Sequence, residues 1–238
     1  SNNFKALWEW SIENPQIFWS KFWDYSKIIG EKGKETILKD KVFNKTKFFS
    51  DSRLNYSENI LKKKSDLDAI GFLSESGYEE NITWNDLYKK VCKLSAYFKT
   101  LNLKKGDRVA AYVPNKIESV VSFLACAKNG IIWSSCSPDF GYDSVFDRFN
   151  QIQPKFLFYH SEYNYNGKNF SLNSKVKKLK SSINSLSGIL DLNTKSKFSN
   201  QTKKVDLNFK SVDFDHPIWI LFSSGTTGKP KAITHRTG

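Results

Sequence analysis

Methionine is missing from this chain, and cysteine and histidine occur only three times each in 238 residues. With no methionine at its start, residue 1 is expected to follow processing or trimming. Cys92, Cys126 and Cys136 are odd in number and have neither metal-binding nor redox spacing, which points to a reducing, cytoplasmic compartment. Cys92 and Cys126 fall in helical patterns and read as small core residues. His160, His216 and His235 are scattered, so no metal site made by this chain alone is expected. No run of eighteen apolar residues occurs, which excludes a membrane-spanning helix. Ser1-Asn-Asn-Phe4 leads into an aromatic, mixed-charge segment, so no secretory leader is expected.

Arginine is scarce as well. Only Arg53, Arg108, Arg148 and Arg236 stand among the 37 basic residues. The net charge of +13 by itself suggests a nucleic-acid partner. Specific phosphate and base readers, however, rely on arginine's planar fork, and here lysine is spread along the whole chain. No specific nucleic-acid partner is expected, only weak binding at low salt.

An apolar fraction of 39% and an aromatic fraction of 15% are enough for a packed core of one large or two modest domains. The first forty-odd residues read as helical and aromatic. Asn14-Pro15 offers an N-cap followed by proline at the first helical position, and Phe18, Trp19, Phe22 and Trp23 recur at helical spacing as a packing face. A ligand-stacking role is the alternative for that stripe. Residues 48–61 are expected to wrap a core edge before a short helix.

A βα rhythm follows. Strands are expected at Ala69–Leu73, Val109–Val113, Ile131–Trp133, Phe156–Tyr159, Gly188–Leu192 and Ile218–Phe222. Thr83-Trp-Asn-Asp86 resembles a capping box opening a helix to about Asn102. Ile117, Val120, Val121 and Leu124 form a second helical stripe, with Gly130 where that helix should stop. A short helix is expected at 143–150, and one amphipathic helix through Leu172, Val176, Leu179, Ile183 and Leu186. The polar stretch 193–213 reads as a surface loop. The alternation predicts a mostly parallel α/β sheet.

The densest chemistry lies in Ser223-Ser-Gly-Thr-Thr-Gly-Lys-Pro-Lys231, directly after an apolar strand. Gly225 and Gly228 allow positive φ and close backbone approach, so successive N–H groups can converge on an anion. Ser223, Ser224, Thr226 and Thr227 add hydroxyl donors, and Lys229 and Lys231 add positive charge. Only two residues separate the glycines, and Pro230 follows Lys229, so this is not the phosphate loop that opens a helix. The alternative is a plain hairpin connection between strands 218–222 and 232–234.

Ile220–Lys231 resembles, position for position, the AMP-binding signature of the adenylate-forming acyl-CoA synthetases. Trp8–Trp23, Arg53–Leu61, Gly130–Gly141 and His216-Pro-Ile-Trp219 are similar to the acetyl-CoA synthetase branch of that family, and the likeness runs along essentially the whole chain. The resemblance implies part of the large α/β N-terminal domain of such an enzyme, with residues 1–62 as a helical, aromatic-rich segment and 63–238 as the first part of the adenylation domain. It implies a ligase in which a short-chain carboxylate attacks the α-phosphorus of ATP, and the thiol of coenzyme A then displaces AMP. Acetoacetate is the implied acid, with acetate or propionate as alternatives. Mg²⁺ would bridge phosphate oxygens. Ser223, Ser224, Gly225, Thr226, Thr227, Gly228, Lys229 and Lys231 would hold the ATP phosphates. Ser135–Gly141, with Phe140 and Gly141, would line the coenzyme A entrance. Lys168 falls near the 3′-phosphate position, where the family has arginines and this chain offers Tyr165 and Lys168; a solvated surface lysine fits it equally. For Trp133 the choices are the acyl group and the core.

Members of that family run to well over twice this length. The adenine-binding segment, the acidic ribose and metal ligands and the lysine-bearing lid are expected to lie beyond Gly238 and to complete the site. The 238 residues alone are therefore expected to be inactive. The opposing possibility is a non-catalytic module that binds a phosphate-rich ligand or a partner. The first reading predicts an open sheet edge and exposed apolar surface around 218–234; the second predicts that edge covered.

Overall fold

The structure, a computed structural model, describes residues 3–42, 45–193, 205, 207–223 and 228–238. In chain order the elements are helices α1 (Phe4–Glu13) and α2 (Pro15–Tyr25), then short strands β1 (Gly30–Glu31), β2 (Ile37–Leu38), β3 (Lys47–Phe48) and β4 (Arg53–Leu54). Helix α3 (Tyr56–Ile60), the hairpin strands β5 (Asp68–Leu73) and β6 (Glu79–Thr83), and helix α4 (Trp84–Thr100) come next. Then follow β7 (Arg108–Tyr112), α5 (Ile117–Lys128), β8 (Ile132–Cys136), α6 (Tyr142–Ile152) and β9 (Phe156–Tyr159). The rest are β10 (Glu162–Tyr165), β11 (Lys168–Ser171), α7 (Asn173–Ser182), β12 (Gly188–Asp191), β13 (Val212–Asp213), β14 (Pro217–Ser223) and β15 (Lys231–Arg236).

The main sheet has the order β12-β9-β7-β8-β14-β15. Its first five strands pair in parallel, and β15 closes one side antiparallel to β14. The mostly parallel α/β sheet read from the sequence is thus present. The central strands β7, β8 and β9 are buried on both faces because helices cover both. Val109, Ala111, Trp133, Phe156 and Phe158 point into a core shared with α4 and α5, whereas Ala110, Tyr112, Ile132 and Leu157 point into one shared with α6 and α7. Period-two alternation along β7–β9 therefore builds a helix–sheet–helix sandwich. Trp133 is 2% exposed between Phe123 and Phe158, which settles it in the core. Burial of such a side chain stabilises by roughly 2–3 kcal/mol.

Helix ends follow local chemistry. Thr83 caps α4 by accepting from the Asp86 N–H at 3.1 Å. Helix α5 ends in a Schellman turn: the Ile131 N–H reaches Cys126 O at 2.9 Å and the Gly130 N–H reaches Ala127 O at 3.1 Å. Gly130 has φ +68°, and a Cβ there would lie 3.0 Å from Val212 Cγ1.

The segment Arg53–Leu61 is a clamp between the N-terminal part and the sandwich. Asn55, 1% exposed, caps α3 and donates through Nδ2 to Ala127 O, Lys128 O and Lys210 O. The Ser57 hydroxyl donates to Leu124 O, and Arg53 pairs with Asp213 at 2.7 Å. These bonds tie α3 and the Arg53–Leu61 segment to the C-terminal turn of α5 and to the 210–213 strand region.

Several expectations are corrected. Asn14 and Pro15 do stand at the N-cap and first position of α2, but the Asn14 side chain does not cap it; its Nδ2 donates back to Trp10 O, closing α1 instead. In the aromatic stripe only Trp23 is buried, while Trp19 and Phe22 line an open apolar groove of ≈610 Å³ with Phe48, Phe49 and Phe214. The first forty residues include β1 and β2 and are not wholly helical. Ala69–Leu73 is a strand, but it pairs with β6 outside the main sheet. The helix expected through Leu186 ends at Ser182, because Ser181, Ser182, Asn184 and Ser185 favour turns over helix. A turn carries Ile183 and Leu186 to the same buried face, which preserved the spacing without the helix. Most of 193–213 lies outside the described residues, but Val212–Asp213 forms β13.

Candidate functional site

All five parallel strands deliver their following loops to one edge of the sheet, the edge where open α/β sheets place ligands. At this edge β7 ends with Tyr112, β8 with Cys136, β9 with Tyr159, β12 with Asp191 and β14 with Ser223. A cleft of ≈890 Å³ opens there between Pro114–Lys116, Ser137–Asp139, Tyr163–Tyr165 and Leu192–Asn193, with the β5–β6 hairpin as its outer wall.

The residues singled out in the sequence fall into two groups on this edge. In the first, Ser223 ends β14 opposite Lys231 on β15. Ser224, Gly225, Thr226 and Thr227 lie outside the described residues. Gly228 has φ +123°, with no atom within 4 Å of where a Cβ would sit. Lys229 and Lys231 are exposed, and Pro230 O accepts from Gln151 Nε2 at 3.1 Å, tying the segment to α6. Because β14 and β15 pair antiparallel, this segment is the connection of a hairpin. The hairpin alternative set out in the sequence is thus present, and the middle of the anion cradle, residues 224–227, lies outside the described residues.

In the second group, Ser137, Pro138 and Asp139 line the cleft, and Phe140 and Gly141 continue the same turn into α6. Gly141 has φ −65°, and nothing lies within 4 Å of its Cβ position, so local sterics do not require glycine there. Tyr165 lines the cleft; Lys168, its cross-strand partner on β11, is exposed and is not part of the lining. The cleft itself is acidic, with Glu75, Glu80, Glu118 and Asp139 against Lys116, in a chain of charge +13. A phosphate group is better served outside it, where Arg148 lies over the Phe140 ring and Lys178 over the Tyr142 ring.

Sequence reasoning missed three side chains at this edge. Tyr112 sends its hydroxyl under the 138–140 turn, donating to Phe140 O with Pro138 O at 3.2 Å. His160, 1% exposed, sits with Nδ1 2.6 Å from the Asn193 carboxamide, and its Nε2 is buried without a partner among the described residues. With the amide turned so that its nitrogen donates to Nδ1, the Asn193 oxygen accepts from the backbone N–H groups of Ser161 and Glu162. Burial pushes the His160 imidazole below its ordinary pKa, so it is neutral near pH 7. The available signal was position: each of the three stands at or just beyond the carboxyl end of a parallel strand. Cys136 shares that position, but burial pushes its thiol up to about 12, which leaves it inert.

Comparison with known proteins accounts for both parts of the chain. A family model described as AMP-binding enzyme matches residues 58–238, and one described as acetyl-coenzyme A synthetase N-terminus matches residues 4–60. The chain belongs to the AMP-binding enzyme family. Within that family it is 36% identical over 250 residues to acetoacetyl-coenzyme A synthetase of Rhizobium meliloti, covering 99% of this chain and 38% of that protein. It is also 36% identical over 268 residues to acetoacetyl-CoA synthetase of Gallus gallus, covering 99% of this chain and 39% of that one. The structure of acetoacetyl-CoA synthetase from Streptomyces lividans superposes with a TM-score of 0.89 at 31% identity, over all of this chain and 39% of that one. The chain thus spans about 39% of the length of the relatives it matches. Among the described residues no helix is long and apolar enough to cross a membrane.

Proposed function

We propose that these residues form part of an acid–thiol ligase that activates acetoacetate with ATP and passes the acyl group to coenzyme A. The observation that carries this reading is the 36% identity along 99% of the chain to an acetoacetyl-coenzyme A synthetase. Acetate and propionate are the alternative acids. In this reading residues 1–62 are the N-terminal segment and 63–238 the first part of the adenylation domain, with the remaining walls of the site supplied by further polypeptide, as in the longer relatives.

The chemistry asks little covalent work of the protein. Displacement at the α-phosphorus is promoted by positioning and charge neutralisation. The Ser223 hydroxyl, the open backbone at Gly228 and the ammonium groups of Lys229 and Lys231 fit the departing pyrophosphate; Ser224, Gly225, Thr226 and Thr227 are assigned the same task from sequence alone. Among the described residues no three His, Cys, Asp or Glu side chains gather to hold a metal. Mg²⁺ would bridge phosphate oxygens, with its acidic protein ligand expected beyond these residues. Gly141, with free space above its backbone, suits close approach by coenzyme A, and Phe140 suits stacking beside Arg148. Lys168 remains assigned to the 3′-phosphate.

The non-catalytic module calls for a covered sheet edge. Strand β15 stands at the edge of the sheet with all six residues exposed, and Leu221 and Ile233 are 40% and 46% exposed. This supports the ligase reading over the module.

Titration of the purified chain with pyrophosphate, alongside acetoacetate-dependent ATP–pyrophosphate exchange, tests the proposal. Saturable pyrophosphate binding weakened about tenfold by the double change Lys229→Gln, Lys231→Gln, with no exchange by the 238 residues, is expected. Absence of pyrophosphate binding would return the loop to an ordinary hairpin connection. Robust exchange by this chain would overturn the claim that the site's other walls lie elsewhere.

A further inference from the structure

Tyr112 is the last residue of β7, a central strand flanked by β9 and β8, and its side chain is fully buried. A buried tyrosine needs a partner for its hydroxyl, and this one finds two carbonyls in the turn that borders the cleft. It donates to Phe140 O, with Pro138 O at 3.2 Å. Lys175 Nζ, on α7, reaches to 3.5 Å from both the Tyr112 hydroxyl and Phe140 O. The turn has few other ties: the Phe140 N–H bonds Ser137 O at 3.2 Å, and the Ser137 hydroxyl bonds Asp139 within the same turn. Those bonds shape the turn but do not attach it to the sheet. The hydroxyl of Tyr112 does.

We infer that Tyr112 is a positioning residue, a clasp whose hydroxyl, backed by Lys175, fixes the Pro138–Phe140 backbone in the form that admits coenzyme A. This rests on the reading of Phe140 and Gly141 as coenzyme A contacts. The ring is held by the core facing α6 and α7, so the hydroxyl has no freedom to follow a turn that shifts. Ligand contacts made by a backbone are only as well placed as what holds that backbone. Burial pushes the Tyr112 phenol far above its ordinary range, and the neighbouring Tyr163, Cys136 and Asp139 act in the same direction. The clasp therefore keeps its proton throughout the physiological range, with Lys175 as the one cation facing it in this hydrogen-bonded group.

Calorimetric titration with coenzyme A of the longer protein that carries these residues tests the inference, with hydrogen exchange of the 138–141 amides as the second readout. In Tyr112→Phe the affinity is expected to fall about tenfold, the scale of losing a supporting hydrogen bond to a ligand-contacting group. Exchange at those amides is expected to quicken, and the loss to stay constant between about pH 6 and 9, below the ordinary tyrosine range. A merely structural tyrosine would lower the melting temperature and leave affinity and local exchange alone, and that result overturns the inference. No coenzyme A binding by the unaltered longer protein overturns the coenzyme A reading and the inference with it; equal binding by both proteins overturns the inference only. If Tyr112→Phe does not fold, Lys175→Gln decides. It is expected to cost about threefold in affinity together with faster exchange at 138–141. Lost affinity without that change would make the lysine a direct ligand contact and refute the clasp, as would no loss at all.

Discussion

Replacing Asn55 with alanine is expected to cost about 3 kcal/mol of stability, an unusually large effect for a small polar side chain. The carboxamide oxygen accepts from the Glu58 N–H at 3.1 Å and caps α3. Loss of such a cap costs about 1 kcal/mol. Its nitrogen serves three carbonyls, Ala127 O at 3.0 Å, Lys128 O at 3.2 Å and Lys210 O at 2.8 Å. Two hydrogens cannot make three full bonds, so two are counted, at about 1 kcal/mol each; Ala127 O and Lys128 O keep the Gly130 and Lys210 N–H groups as donors. Urea unfolding followed by circular dichroism measures the sum. With a slope near 3 kcal/mol per molar urea, the midpoint should fall by about 1 M. Asn55→Asp keeps the cap but turns a carboxylate toward those carbonyls, and should be at least as damaging as alanine. A loss under about 1 kcal/mol in Asn55→Ala, or an aspartate milder than alanine, would show that the cap alone matters and that the clamp onto α5 is not a stabilising device.

Two further changes follow from the same geometry. His160 and His216 both have pKa values lowered by burial, so below about pH 6.5 the unfolded chain takes up protons that the folded chain resists. Their contribution to stability is intact above that point and declines as the pH falls toward the folded pKa values; His160→Gln should flatten the dependence of the urea midpoint on pH, and an unchanged slope would contradict the buried neutral imidazole. Gly130→Ala should cost about 2 kcal/mol, since φ +68° disfavours a side chain and the new Cβ meets Val212 Cγ1 at 3.0 Å; a neutral result in the same unfolding assay would mean that the Schellman turn relaxes freely.

What was legible in the sequence followed from burial on regular backbone. Strands β7 and β9 announce themselves because a parallel strand covered on both faces is largely apolar. Strand β6, Glu79-Glu-Asn-Ile-Thr83, hides because Ile82 is its one buried residue. The aromatic stripe of α2 misled for a related reason. Helical spacing shows that side chains share a face, but not that anything covers the face, and here Trp19 and Phe22 border an open groove. The 223–231 motif stood out in the sequence because its glycines, hydroxyls and lysines are consecutive. Tyr112, His160 and Asn193 did not, because they meet only when three strands end side by side.

The hairpin at β14–β15 explains why one loop is open to two readings. A plain hairpin turn needs glycine for backbone conformation, and an anion cradle needs glycine so that N–H groups can converge; the residue choice overlaps because the backbone requirement is the same. The lysines separate the two readings. A connection has no need for ammonium groups at its exit, whereas Lys229 and Lys231 stand exposed beside a segment fixed to α6 through Pro230 O and Gln151. That tie gives the exit a definite position relative to the sheet edge, and the edge also carries the 137–141 turn held by Tyr112. In the proposed ligase, ATP phosphates at the hairpin and coenzyme A at the 137–141 turn would be presented by one edge in successive half-reactions. The parallel order of the strands supplies that edge before any single side chain is considered.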